Sequence, residues 1–109
     1  VSVGLQRLRE EPDAIRQGAI DKGEDPGLVD AALKMDAERR RVQADADTLR
    51  AELKRRSAAV AASLRSGGDT KALRAEARDI GARIADRQAR LETIESQLDE
   101  LLLRIPNPA

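Results

Sequence analysis

The sequence predicts an all-α fold: a long antiparallel two-helix coiled-coil hairpin with short N-terminal helices packed at its base. Three observations predict it. The first is composition: 109 residues, 40% apolar and 37% charged, with no Phe, Tyr or Trp. Mixed cores take much of their buried area from aromatic rings, whereas the Ala, Leu, Arg, Glu and Lys that abound here are strong helix formers. The second is spacing. Apolar residues recur at alternating intervals of three and four in two long segments, the heptad pattern of a coiled coil. The third is symmetry: pairs such as Val60 with Ala77, Leu53 with Ile84, Ala46 with Leu91, Val42 with Ile94 and Met35 with Leu101 lie symmetrically about Gly68. One fold-back there registers both seams along their whole length.

The elements follow in order, as one arm domain over residues 1–109. Residues 1–24 hold short helices: Leu5, Leu8, Ile15 and Ala19 form an apolar stripe, Pro12 suits a first helical turn, and Gly23 stops the run. Asp25-Pro26 then pairs an N-cap acceptor with a proline suited to the first helical position. The first long helix spans 25–65, with its seam at Leu28, Ala32, Met35, Arg39, Val42, Ala46, Leu49, Leu53, Arg56, Val60 and Ser63. Residues 66–69, Ser66-Gly67-Gly68-Asp69, form the tip turn. The second long helix, 70–105, has its seam at Leu73, Ala77, Ile80, Ile84, Arg87, Leu91, Ile94, Leu98, Leu101 and Ile105. Pro106 cannot continue it and opens an exit linker, 106–109. At the three arginine seam positions, the stems are expected to pack while the guanidinium heads snorkel outward.

Several chemistries lack their residues. There is no Cys and no His, which removes thiol nucleophiles, thiolate zinc sites and the commonest general base. The serine hydroxyls have no imidazole to activate them. The carboxylates sit mostly at helical spacings beside basic neighbours, the pattern of a solvated face. No apolar run approaches the roughly 20 residues that span a bilayer, and no signal-peptide pattern opens the sequence. The reading is a cytoplasmic, non-catalytic chain with no catalytic residues, metal ligands, cofactor, membrane contact or small-molecule substrate of its own.

Charge is the informative property. The formal net charge is zero, yet residues 50–83 hold nine basic and four acidic side chains, and the remainder eleven and sixteen. The tip is therefore net +5 and the rest net −5. A basic tip on a helical arm can meet a phosphate backbone. With no aromatic to stack on an unpaired base, such contact reads backbone and shape. The candidate RNA-binding residues are Lys54, Arg55, Arg56, Arg65, Lys71, Arg74 and Arg78. Arg55, Arg65, Lys71, Arg74 and Arg78 come first, and Lys54 and Arg56 next.

The sequence also resembles a family. Leu8-Arg9-Glu10-Glu11-Pro12-Asp13-Ala14-Ile15-Arg16 is similar to the "LRENPEAVR" opening of the N-terminal arm of bacterial-type seryl-tRNA synthetases. Gly23–Asp30 is similar to the lead into that arm's first long helix, and Leu49-Arg50-Ala51-Glu52 and Gly68-Asp69 fall at its "LRAE" and tip positions. Leu101-Leu102-Leu103-Arg104-Ile105-Pro106-Asn107-Pro108 resembles its exit from the hairpin. The resemblance covers nearly the whole chain. It implies a coiled coil that contacts the long variable arm and elbow of serine tRNA and presents the acceptor end to a catalytic domain, in a parent that is a homodimer. Serine, ATP and magnesium are implied only for that domain, whose class II motifs have no counterpart in these 109 residues. Before the tip, Arg55, Ser57 and Val60 match the family pattern. Ala58 stands where a lysine is expected, Ala61 where a glycine is, and Arg56 where an aliphatic residue is. Two alternatives accompany this reading: a coiled-coil module for protein partners, and a diverged synthetase paralogue with altered RNA binding.

Overall fold

A computed structural model of the chain describes residues 4–106; residues 107–109 of the expected exit linker lie outside the described residues. Four helices follow one another: α1 (Leu5–Glu10), α2 (Pro12–Asp21), α3 (Gly27–Arg65) and α4 (Lys71–Arg104). No strand occurs among the described residues. The fold is all-α, a coiled-coil helical hairpin preceded by two short helices.

Local chemistry accounts for each boundary. Glu11 sits outside the helical region at φ −129°, ψ 51°, as the residue before a proline prefers, and this separates α1 from α2. α2 and α3 both end in a Schellman motif. After α2, Glu24 N–H donates to the Ala19 carbonyl at 2.8 Å and Gly23 N–H to Ile20 at 3.0 Å; after α3, Gly68 N–H donates to Ser63 at 2.8 Å and Gly67 N–H to Leu64 at 3.2 Å. Both motifs need a left-handed residue, and both place a glycine there, Gly23 at φ +77° and Gly67 at φ +74°. Asp25 caps α3 by accepting from Gly27 N–H at 2.8 Å, and Asp69 caps α4 by accepting from Lys71 N–H at 2.9 Å.

The chain divides into two compact units. Among the described residues, a terminal unit comprises 4–40 and 92–106, and a turn unit 41–91. In the terminal unit, Leu8 and Ile15 from the short helices pack with Leu28, Val29 and Ala32 of α3 and with Leu98, Leu102 and Ile105 at the α4 end. Leu8, Ile15 and Val29 are wholly buried. Each such aliphatic side chain contributes about 1.5–3 kcal/mol on leaving water, so the expected Leu8–Ile15–Ala19 stripe fastens the short helices down. In the turn unit the core is thinner: Leu49, Ile80 and Ile84 form a buried cluster with Leu53 half-buried against it. From residue 50 to residue 79 no residue is fully buried.

Every predicted seam position is buried or half-buried. The expectation that the seam arginines send their heads outward is corrected at Arg39, whose partner is the buried Asp36, whereas Arg56 and Arg87 keep 42% and 32% of their side chains exposed beside solvent-accessible carboxylates. Arg39 Nη2 donates instead to Asp36 Oδ1 at 3.0 Å. Arg56 Nη1 donates from α3 to Glu76 Oε2 of α4 at 3.1 Å, and Arg87 bonds from α4 to Asp45 of α3. In each case a carboxylate within reach accepts a charge-assisted hydrogen bond.

Asp36 is the buried polar residue among the described ones, at 0% exposure. Arg9 of α1 grips it with two bonds, Nε to Oδ2 at 2.8 Å and Nη2 to Oδ1 at 3.0 Å. Arg39 adds its bond, and Arg40 Nε lies 3.4 Å from Oδ2. The Arg9 hydrogen bonds hold the Asp36 carboxyl at about 2, below its ordinary 3.8; burial opposes this, and Arg39 and the Arg40 charge reinforce it. α1 is thus tied to α3 by a buried, charge-paired carboxylate as well as by Leu8.

Candidate nucleic-acid interface

The turn unit carries all seven predicted RNA-binding residues. Lys54, Arg55 and Arg56 lie on consecutive positions of α3, Arg65 is in its last turn, Lys71 is the first residue of α4, and Arg74 and Arg78 lie one turn apart beyond it. These positions follow from the helix ends already described. The Schellman turn and the Asp69 cap bring Arg65 and Lys71 to either side of the reversal. The i, i+4 spacing puts Arg74 and Arg78 on one face of α4.

Their charge state in the fold separates them. Of the nine basic residues between 50 and 83, three are neutralised locally. Arg50 pairs with Asp47 at 3.3 Å, Arg83 with Asp79 at 3.1 Å, and Arg56 with both Glu76 at 3.1 Å and Glu52 at 3.6 Å. The side chains of Lys54, Arg55, Arg65, Lys71, Arg74 and Arg78 are exposed and form no ion pair or hydrogen bond with any described residue, although the Lys71 backbone N–H serves the Asp69 cap. Arg56 therefore stands apart from the other six candidates. Its charge is spent in cross-linking the hairpin.

The structure gathers two of the six into a concave site. Arg74 and Arg78 line an open depression of about 350 Å³ together with Ser57, Val60 and Ala77. It exists because the seam pair there is small: Val60 and Ala77 are each half-buried and leave the interhelical space unfilled. Ser57 is the residue that inspection of charge alone passes over. The signal for it was its place one turn before Val60, beside a seam layer completed by an alanine. Lys54, Arg55, Arg65 and Lys71 do not line the depression.

No group of three or more carboxylates is placed to hold a metal ion among the described residues. No helix among them is long and apolar enough to cross a membrane. What the site offers is fixed positive charge, a hydroxyl and a small apolar floor, the means of holding a polyanion by its backbone.

Fold and site together define a coiled-coil arm domain with a cationic turn. Comparison with known proteins then places it. The family model of the seryl-tRNA synthetase N-terminal domain matches residues 4–109, and the chain belongs to that family. It is 39% identical over 105 residues to the serine–tRNA ligase of Mycobacterium avium, covering 96% of this chain and 24% of the relative. It is 38% identical over 97 residues to that of Nocardia farcinica, covering 89% and 23%. A crystal structure of seryl-tRNA synthetase from Pyrococcus horikoshii complexed with ATP matches with a TM-score of 0.89 at 27% identity, over 96% of this chain and 24% of that one. The chain spans about a quarter of the length of these relatives.

Proposed function

We propose that this chain is a non-catalytic tRNA-binding arm. In this reading it engages the long variable arm and elbow of serine tRNA through its cationic turn and so presents that tRNA for serylation. The serylation is that of a cytoplasmic, homodimeric serine–tRNA ligase whose catalytic domain, with its ATP and magnesium, these residues do not include. One observation carries the reading: six exposed cations within one turn region, none matched by a carboxylate among the described residues. Six like charges left unpaired repel one another, and the fold gains nothing from holding them there. A polyphosphate chain removes the repulsion and releases its own counterions. Membership of the seryl-tRNA synthetase N-terminal domain family favours tRNA as that polyanion.

The test is equilibrium binding of the chain to a serine tRNA with its long variable arm, against a tRNA with a short one, each at low and near-physiological salt. Preference for the long-armed tRNA that weakens as salt rises is the expected result. Equal, weak binding to both would reduce the site to generic electrostatics. No binding at low salt would favour a protein partner.

A further inference from the structure

The depression beside Arg74 and Arg78 has a composition more particular than a cationic patch. It is lined by Ser57 and Val60 from α3 and by Arg74, Ala77 and Arg78 from α4. No carboxylate lines it, so nothing there repels a phosphate. No aromatic exists anywhere in the chain, so nothing there stacks on a base. Its volume, about 350 Å³, is at the small end of ligand-sized sites, which start near roughly 300 Å³. Its three kinds of surface match the parts of one backbone unit. Guanidinium groups bind phosphate oxygens in a planar fork, aliphatic side chains pack against the carbon face of a sugar, and a hydroxyl both donates and accepts.

We propose that this depression seats one ribose–phosphate unit of the bound RNA, with the Ser57 hydroxyl hydrogen-bonding the ribose 2′-hydroxyl. The 2′-hydroxyl is what distinguishes RNA from DNA at a given contact. Ser57 then makes the interface selective for RNA, while Arg74 and Arg78 supply affinity without selectivity. The proposal rests on the RNA-binding reading above and adds a site and a residue role to it. It also gives the small seam pair Val60 and Ala77 a purpose: a larger side chain at 77 would pack the helices better and abolish the seat.

The experiment pairs a protein change with a change in the RNA. A serine tRNA is prepared with single 2′-deoxy substitutions along its variable arm and elbow, and each form is titrated with wild type and with Ser57→Ala. In wild type, one position should weaken binding by roughly two- to tenfold, the span of a neutral hydrogen bond. At that position Ser57→Ala should bind the substituted and unsubstituted tRNA equally. If Ser57→Ala keeps the same sensitivity at every position, or wild type has no sensitive position, the proposal is overturned while RNA binding stands. If wild type fails to bind the unsubstituted tRNA, the RNA reading itself is lost. Ala77→Leu provides a second readout that loss of folding would not mimic: weaker tRNA binding with an unchanged or higher melting temperature. Undiminished binding by that variant would contradict the seat.

Discussion

The terminal unit and the hairpin reversal draw on the same two long helices yet differ in how their cations are matched. In the terminal unit Arg7, Arg9, Arg16, Arg39 and Arg40 each meet a carboxylate, and three of them converge on the buried Asp36. Around the hairpin reversal, Lys54, Arg55, Arg65, Lys71, Arg74 and Arg78 meet none among the described residues. Burial follows the same division. Leu8, Ile15 and Ile105 are sealed in the terminal unit, whereas nothing between residues 50 and 79 is fully buried. Paired charge and a packed core serve stability; unpaired charge and a thin core leave a surface available to a partner. One pair of helices thus holds a charge-paired, well-packed region and a thinly packed region of unpaired cations, and the difference is written in which carboxylates accompany the basic residues.

Amide hydrogen exchange should show the largest contrast. Amides of residues 55–63 and 73–78, lacking a buried layer, are expected to exchange at least about a hundredfold faster than those around Ala32 and Leu98, because local opening exposes little apolar area there. Equal protection in both units would mean that the turn unit opens no more readily than the terminal one. Next comes Asp36→Ala, which removes the acceptor shared by Arg9, Arg39 and Arg40 and should cost about 3 kcal/mol of stability, read by thermal or urea unfolding. Acid should act on the same group. Since the folded carboxyl sits at about 2 rather than 3.8, its stabilisation, on the order of 2 kcal/mol, is complete above about pH 4 and is lost as pH falls toward 2. A stability profile flat over that range would remove Asp36 from its anchoring role. The smallest effect is expected from Arg56→Gln. Its partners Glu52 and Glu76 are solvent-accessible, so the change should cost less than about 1 kcal/mol.

Most of the fold was legible because its core is periodic. Leu28, Ala32, Val42, Ala46 and Leu49 recur at helical spacing, as do Ile80, Ile84, Leu91, Ile94 and Leu98, and all ten are buried. What escaped was the second face of α3. Val29, Leu33 and Asp36 follow one another at intervals of four and three, a stripe parallel to the main seam; Val29 and Asp36 are buried and Leu33 packs against the terminal core. An aspartate continuing an apolar stripe reads as a surface residue until Arg9, 27 positions earlier, is brought beside it. That contact is tertiary, and no local pattern encodes it. The candidate interface was legible as a charge excess, since charge is counted directly from the residues. Which cations remain unpaired, and that Ser57 joins Arg74 and Arg78 around a depression, depends on how α3 and α4 register in the turn unit.

We propose that the unmatched cations of the turn, and not the paired ones of the terminal unit, carry RNA binding. The deciding measurement is the salt dependence of serine tRNA affinity in three proteins: wild type, a Lys54→Ala, Arg55→Ala, Arg74→Ala, Arg78→Ala variant, and an Arg7→Ala, Arg16→Ala variant. Each phosphate neutralised contributes a slope of about 0.7–0.9 to the logarithmic plot. The turn variant should therefore lose about three units of slope, while the terminal variant keeps the wild-type line. A turn variant with the wild-type slope would remove those four cations from RNA binding.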